Sequence, residues 1–452
     1  MVDTPQLYRI GCGAGFSGDR IDAAGPVVAA LVERGGPSCL MFEMLAERTL
    51  ALAQRGRREG SGGYDRSILD RLRPVLADCL DHGISIVGNF GAADPGAAAQ
   101  DIAAIAASLG CRAPRIALVE GDDLASAGPD AGLDRLLASS LPEGARLLSA
   151  NVYLGAQEIA AALREGADIV VTGRVADPAL ALGPLIAHYG WSLTDHDRIA
   201  AGTLVGHLLE CGAQVTGGYF ADPGQKDVPG LHRLGYPIAE VDADGTCVVT
   251  KPGGTGGCVD ARTVKEQILY EIHDPAAYLT PDVTLDLTEV EITELAPDRV
   301  RVSGARGHPP PETLKATLCY DGGYVGEGEI SYAGPGAEGR ARAALDAVTR
   351  RLPAGLAWRG DLIGVTSVFG DDGGHHLEDR LPDCRDVRLR LAVHAADGDA
   401  VAAAMHDFGA LYCCGPAGGG GIRTNMRRRV STASAAIPRP LVRARHTFVE
   451  VS

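Results

Sequence analysis

Residues Tyr8 to Asp22 read as a buried strand that runs into the glycine-rich loop Gly13-Ala14-Gly15-Phe16-Ser17-Gly18 and then, from Asp19-Arg20, into a helix. Few segments narrow the choice of fold so far. Glycines let backbone N–H groups approach a ligand closely, and the helix that follows offers the positive end of its dipole to a phosphate or carboxylate. Such loops belong to α/β sheets, whose ligands sit beyond the carboxyl ends of the strands. Gly13, Ala14, Gly15, Ser17 and Arg20 are therefore candidate ligand-binding residues.

The first half keeps this rhythm. Pro37 to Leu45, Gly83 to Asn89, Arg115 to Glu120, Arg146 to Asn151 and Ala167 to Thr172 read as further short apolar strands. Helical patterns separate most of them. Ile68, Leu69, Leu72, Val75, Leu76 and Leu80 form one stripe ended by Gly83, Asp94 caps a helix that starts at Pro95 and stops before Gly110, and Gln157 to Arg164 supplies another. Apolar strands alternating with helices predict a doubly wound, mostly parallel sheet over residues 1–220, each crossover packing a helix back onto a face. The polar residues that end its strands become the candidate site: Ser17, Asp19, Arg20, Glu43, Asn89, Glu120, Asp122, Asp123, Asn151, Tyr153, Thr172, Arg174 and Asp177.

From about Tyr219 the texture changes. Leu231 to Val249 and Val283 to Val302 look like β segments joined by turns such as Asp242-Ala243-Asp244-Gly245, and helices are expected at Ala337 to Arg351 and near Asp399 to Leu411. A length of 452 residues accommodates two domains, so residues 221–452 are expected to form an α+β domain that closes the cleft of the first. Gly253-Gly254-Thr255-Gly256-Gly257 falls between the halves, either lining that cleft with Thr255 as a hydrogen-bond donor or serving as a hinge.

Composition excludes several function classes. With 42 basic against 58 acidic residues the net charge is −16, which disfavours nucleic acid as a partner. No apolar run approaches a membrane span of roughly 18 to 20 residues, and Met1 to Gln6 lacks the character of a signal peptide, so a cytoplasmic protein is expected. The eleven cysteines show no metal-ligand spacing and read as reduced thiols, Cys12 in the glycine loop being the one best placed for a functional role. Glu120, Asp122 and Asp123 lack the further ligands a cation needs, and no metal site is expected. His207 lies on a helix and His375-His376 in a polar loop, and no serine-hydrolase or zinc-protease motif accompanies them.

Several motifs together resemble a known family. Gly13 to Arg20, Leu45-Ala46-Glu47-Arg48-Thr49, Thr172-Gly173-Arg174-Val175-Ala176-Asp177-Pro178, Gly253 to Gly257 and Gln267 to Pro275 occur in the order found in the acyclic terpene utilisation family (AtuA-like proteins), over nearly the whole chain. The resemblance implies a protein that works alongside acyl-CoA enzymes on branched terpenoid acids. Many members carry a small ferredoxin-like domain at the C-terminus, before which this chain stops, so a separately encoded small subunit is an expected partner.

The site residues divide by chemistry. The loop matches GxGxxG, and Glu43 lies about 25 residues beyond it, near where a ribose-binding carboxylate belongs, which keeps NAD(P) or a flavin, and an oxidoreductase, open. The leading expectation is instead a lyase or hydratase acting on an anionic branched acyl-CoA or acid. Glu43 and Asp19 would exchange protons, and Arg20, Arg174 and the loop amides would steady an enolate-like charge. Asn89, Asn151, Thr172 and Thr255 complete the expected binding surface. Asp177 reads as the N-cap of the helix reaching Tyr189, and Glu47 as a first-turn acid. A homo-oligomer is expected, and a non-catalytic scaffold subunit is the remaining alternative.

Overall fold

A computed structural model describes residues 7–126, 131–368, 370 and 384–450. His375 and His376 lie outside the described residues. The chain divides into two compact units, one made of Met1–Cys319 with Thr432–Ser452 and the other of Tyr320–Ser431.

In the first unit the elements run β1 (Tyr8–Ala14), α1 (Ala24–Arg34), β2 (Ser38–Phe42), α2 (Glu47–Glu59), α3 (Ser67–Leu72), α4 (Leu76–His82), β3 (Ser85–Gly88), α5 (Pro95–Ser108), β4 (Ile116–Glu120), α6 (Ala131–Ser139), β5 (Leu147–Val152), α7 (Gln157–Arg164), β6 (Ile169–Thr172), α8 (Ala179–Tyr189) and α9 (His196–Glu210). There follow β7 (Ile238–Val241), β8 (Cys247–Thr250), α10 (Ala261–Leu269), β9 (Tyr278–Leu279), β10 (Thr284–Asp286), β11 (Glu291–Ala296), β12 (Arg299–Ser303), β13 (Arg306–His308) and the start of β14 (Thr313–Ala333).

Ten strands form one mixed sheet in the order β11-β12-β8-β7-β1-β2-β3-β6-β4-β18, where β18 (Arg445–Phe448) is supplied by the end of the chain. The expected parallel pairing holds at its centre only. β1 pairs with β2, β2 with β3, β3 with β6 and β6 with β4 in parallel, whereas β7, β8, β12, β11 and β18 join antiparallel. Central strands β2 and β6 are buried at every position, as strands covered on both faces must be. β5 leaves this sheet and pairs with β14, so its expected place among the parallel strands is corrected.

Local signals explain most boundaries. Asp94 caps α5 by accepting from the Ala97 amide at 3.1 Å, and a left-handed Gly83 ends α4. The single apolar stripe from Ile68 to Leu80 is two helices, because Pro74 lacks the N–H that a continuous helix needs. The expected helix at Asp19 starts ten residues after Ala14, at Ala24, and Asp19 to Ala23 form turns.

The second unit contains the remainder of β14, α11 (Ala337–Thr349), β15 (Ala357–Ile363), β16 (Asp386–Ala395), α12 (Gly398–Cys414) and the start of β17 (Gly420–Pro438). Its strands are ordered β15-β16-β14-β17, and its elements follow the β-α-β-β-α-β sequence of ferredoxin-like folds. Both helices cover one face, where Val387, Leu389, Leu391 and Val393 meet Val348 and Phe408 in a separate core. Among the described residues no helix is long and apolar enough to cross a membrane.

Candidate active site

Within the first unit, the loop after β1, the end of β2 and the segments before α8 and after α9 surround a cavity of about 1080 Å³. Gly15, Asp19, Arg20, Glu43, Tyr153, Arg174 and Asp177, seven of the candidate residues, line it.

Glu43 is held by its surroundings. Its Oε1 accepts from the Leu45 amide at 2.8 Å and from Asn89 Nδ2 at 3.0 Å, so Asn89 stands behind the carboxylate and not in the cavity wall. Burial and the neighbouring Asp177 push its pKa up to about 8, against the opposing pull of Arg174 and of the two hydrogen bonds. A carboxyl group that carries its proton at neutral pH, facing a cavity, is suited to giving that proton away.

Arg174 is fully buried, and its guanidinium lies 4.4 Å above the ring of Tyr153. It donates to the Leu45 carbonyl, twice to the Val175 carbonyl and to Asp177, which engages four of its five N–H bonds. Asp177 is thus the counter-ion of Arg174 and not the expected cap, α8 having no side-chain cap. Glu47 opens α2 as the expected first-turn acid, and its carboxylate also reaches beyond the helix. It accepts from Tyr153 at 2.7 Å and from Lys315 at 2.9 Å, and although burial opposes the shift, these bonds bring its pKa down to about 2.

The glycine loop works differently from its expected form. The Gly15 amide donates to Asp19 Oδ2 at 2.8 Å, and Asp19 also accepts from the Arg20 amide at 3.0 Å and from the Tyr236 hydroxyl. Three donors therefore occupy the Asp19 carboxylate. Arg20 forms a bidentate pair with Asp22 at 2.8 and 2.9 Å. Arg71, wholly buried, donates to the carbonyls of Ser17 and Asp19 and closes the loop from beneath. The glycines answer to packing: a Cβ on Gly13 would strike the Phe42 ring, and one on Gly15 would strike the backbone of Cys211 and Gly212. With the Gly15 amide occupied, a carboxylate beside it and the helix delayed to Ala24, the loop differs from the strand-loop-helix cradle that holds a dinucleotide pyrophosphate.

Other candidates lie apart. Ala14 and Thr172 are buried strand-end residues outside the cavity wall, Ala14 accepting from the Glu43 amide at 3.0 Å. Asn151 accepts from Gln54 at 3.0 Å, donates to Asp122 at 2.8 Å and lines a second, polar cavity of about 860 Å³. Thr255 bonds its own loop at Pro252 and faces neither cavity. Cys12 is buried in β1, where burial pushes its thiol far up and leaves it unreactive. Among the described residues no group of three or more His, Cys, Asp or Glu is placed to hold a metal ion.

Near the end of α9 the cavity holds a pair that the sequence reading passed over. His207 Nδ1 lies 2.8 Å from Glu210 Oε1, while Nε2 faces the Ile268 carbonyl at 3.1 Å. Their i, i+3 spacing on one helix was the available signal. Lys315, reached from β14 far along the chain, left none.

A family model for the acyclic terpene utilisation family protein AtuA matches residues 8–448. The chain belongs to that family. No curated protein and no solved structure matches it. Within this acyclic terpene utilisation protein, the matched span takes in every residue of the cavity wall.

Proposed function

We propose that this protein catalyses a hydration or dehydration step on a branched acyl chain, with Glu43 as the proton donor to the departing hydroxyl. The carrying observation is the position of Glu43: a carboxyl group raised to about 8 and facing a cavity whose walls include Phe16, Leu234, Ile272, Leu279 and Leu314. Those walls suit an apolar branched body. The sheet centre formed by β1, β2, β3, β6 and β4 supports a doubly wound reading, with this site at the carboxyl ends of its strands.

The charges select the form of the substrate. Six carboxyl groups (Asp19, Glu43, Glu47, Asp177, Glu210 and Glu271) line the cavity, with three cations, Arg20, Arg174 and Lys315. Each cation already has a carboxylate partner, in Asp22, Asp177 and Glu47 respectively. A free carboxylate would have to break one of these pairs. A thioester carbonyl has no charge to satisfy, which favours an acyl thioester over a free acid.

In the dehydration direction the C–O bond breaks as Glu43 protonates the hydroxyl to water, the α-C–H bond breaks, its electrons form the C=C bond and the α-proton passes to a base. Solvent then returns a proton to Glu43 and takes the α-proton from the base. Hydration of 3-methylcrotonyl-CoA, followed by loss of enoyl-thioester absorbance, tests the reading. Glu43→Gln should slow it by about 100-fold or more. Equal rates in wild type and variant, or no turnover of branched enoyl thioesters by the wild type, would remove it.

A further inference from the structure

Glu210 and His207 form an arrangement that packing alone does not require. A carbonyl oxygen only accepts, so the 3.1 Å contact of Nε2 with the Ile268 carbonyl places a hydrogen on Nε2. The tautomer is thereby set. Nδ1 and Glu210 Oε1, 2.8 Å apart, must then hold one proton between them, as imidazolium with carboxylate or as imidazole with carboxylic acid. The second oxygen, Oε2, is buried and has no hydrogen-bond partner, although Glu210 lines the cavity. A buried carboxylate oxygen without a donor is costly unless something else meets it there.

We propose that Glu210 is the second proton-transfer group of this cavity, taking the substrate's α-proton on Oε2 while His207 positions it and shares its charge. The inference rests on the acid/base reading of Glu43 and supplies the base that reading lacks. The fold brings the two ends together: the loop bearing Gly15 meets the backbone of Cys211 and Gly212, directly after Glu210, too closely to admit a side chain. The α-C–H bond breaks, its proton goes to Oε2, and its electron pair forms the C=C bond as Glu43 protonates the leaving hydroxyl.

The groups facing Glu210 agree with a base that works near neutrality. Burial raises its pKa to about 7, His207 opposes that rise, and Asp177 and Glu271 add to it. Cys211 and Tyr278 also face it, and burial keeps both protonated well past neutral pH.

Two measurements on the full chain test the proposal. In protein labelled with ¹⁵N-histidine, the His207 signal, identified by its absence from His207→Gln, should keep its Nε2 proton throughout while Nδ1 titrates. Glu210→Gln should move that titration to lower pH, and an unchanged titration overturns the shared proton. In deuterated buffer the wild type should exchange the α-protons of isovaleryl-CoA faster than buffer alone, and Glu210→Gln should lose at least 100-fold of that rate. His207→Gln should shift the pH profile of exchange. Because the acid is needed only for the hydroxyl, the ratio of exchange to hydration should rise in Glu43→Gln, whereas Glu210→Gln should lose both. Wild-type exchange no faster than buffer, or full exchange in Glu210→Gln, overturns the base. Full hydration by Glu43→Gln overturns the Glu43 reading alone. If Glu210→Gln does not fold, Glu210→Asp should still lower exchange by about 10-fold, since withdrawal by one methylene breaks the geometry, and an unaltered rate counts against the proposal.

Discussion

Two glutamates four residues apart meet opposite fates, and the difference makes a prediction about stability. Glu43 is raised to about 8, first by burial, so the folded state binds a proton there that the unfolded state, near the ordinary carboxylate value, has already lost. Stability from this group is therefore greatest below about pH 4 and falls as pH rises towards 8. Glu47 is the reverse: lowered to about 2 by Lys315 and Tyr153 against its own burial, it contributes above the ordinary carboxylate pKa and loses that contribution as pH falls towards 2. Glu43→Gln should accordingly raise the melting temperature more at pH 8 than at pH 5, while Glu47→Gln should lower it at pH 7 and matter little at pH 2.5. Thermal scans across pH would show the two curves crossing, and parallel curves would mean that neither carboxyl is shifted as described. The sequence placed Glu43 at the end of a strand correctly, because strand ends follow from apolar runs. It did not show that Arg20 and Asp19 would be occupied, since their partners Asp22 and Tyr236 include one residue more than 200 positions away.

At the scale of elements, the contact between the glycine loop and the end of α9 sets the site. Gly15 lies against the backbone of Cys211 and Gly212, whereas Gly25, in the first turn of α1, has open space where a Cβ would go and no positive φ. Gly15→Ala should cost about 1–3 kcal/mol, because backbone atoms and not a flexible side chain must give way, and it should displace Glu210 from the loop. Gly25→Ala should add about 0.5–1 kcal/mol by removing unfolded-state freedom. Urea midpoints of the two variants moving in the same direction would refute this account of the loop. Both glycines look alike in sequence, as do Gly13 and Gly18, because close approach by a distant backbone leaves no local mark. Caps and breakers were legible by contrast. Asp94 and Pro95 start α5 as their chemistry requires, while Pro74 divides a stripe whose apolar spacing, taken alone, reads as one helix.

Across the whole molecule, the change of texture near Tyr219 marks where pairing in the large sheet turns antiparallel, for every strand that joins it after β6 does so in that sense. What no local pattern conveys is that the chain returns to this sheet at its end, with Arg445 opposite Glu120 and Phe448 opposite Ala117. Such pairing joins residues more than 300 positions apart and rests on shape, not on a motif. The second unit is simpler. Tyr320–Ser431 encloses its own core, and two β16 residues that point away from its helices are charged and partnered, Arg388 with Glu329 at 3.2 Å and Arg390 with Asp361 at 2.9 Å. A unit with a separate core meets the physical condition for folding alone. The excised segment Tyr320–Ser431 should therefore show native-like circular dichroism and one cooperative thermal transition. Its Phe408→Ala variant, which empties the space against Gly328, should lose about 3–5 kcal/mol and with it most of that transition. A segment that melts without cooperativity, or one indifferent to Phe408, would show that the unit depends on the remainder of the chain for its fold.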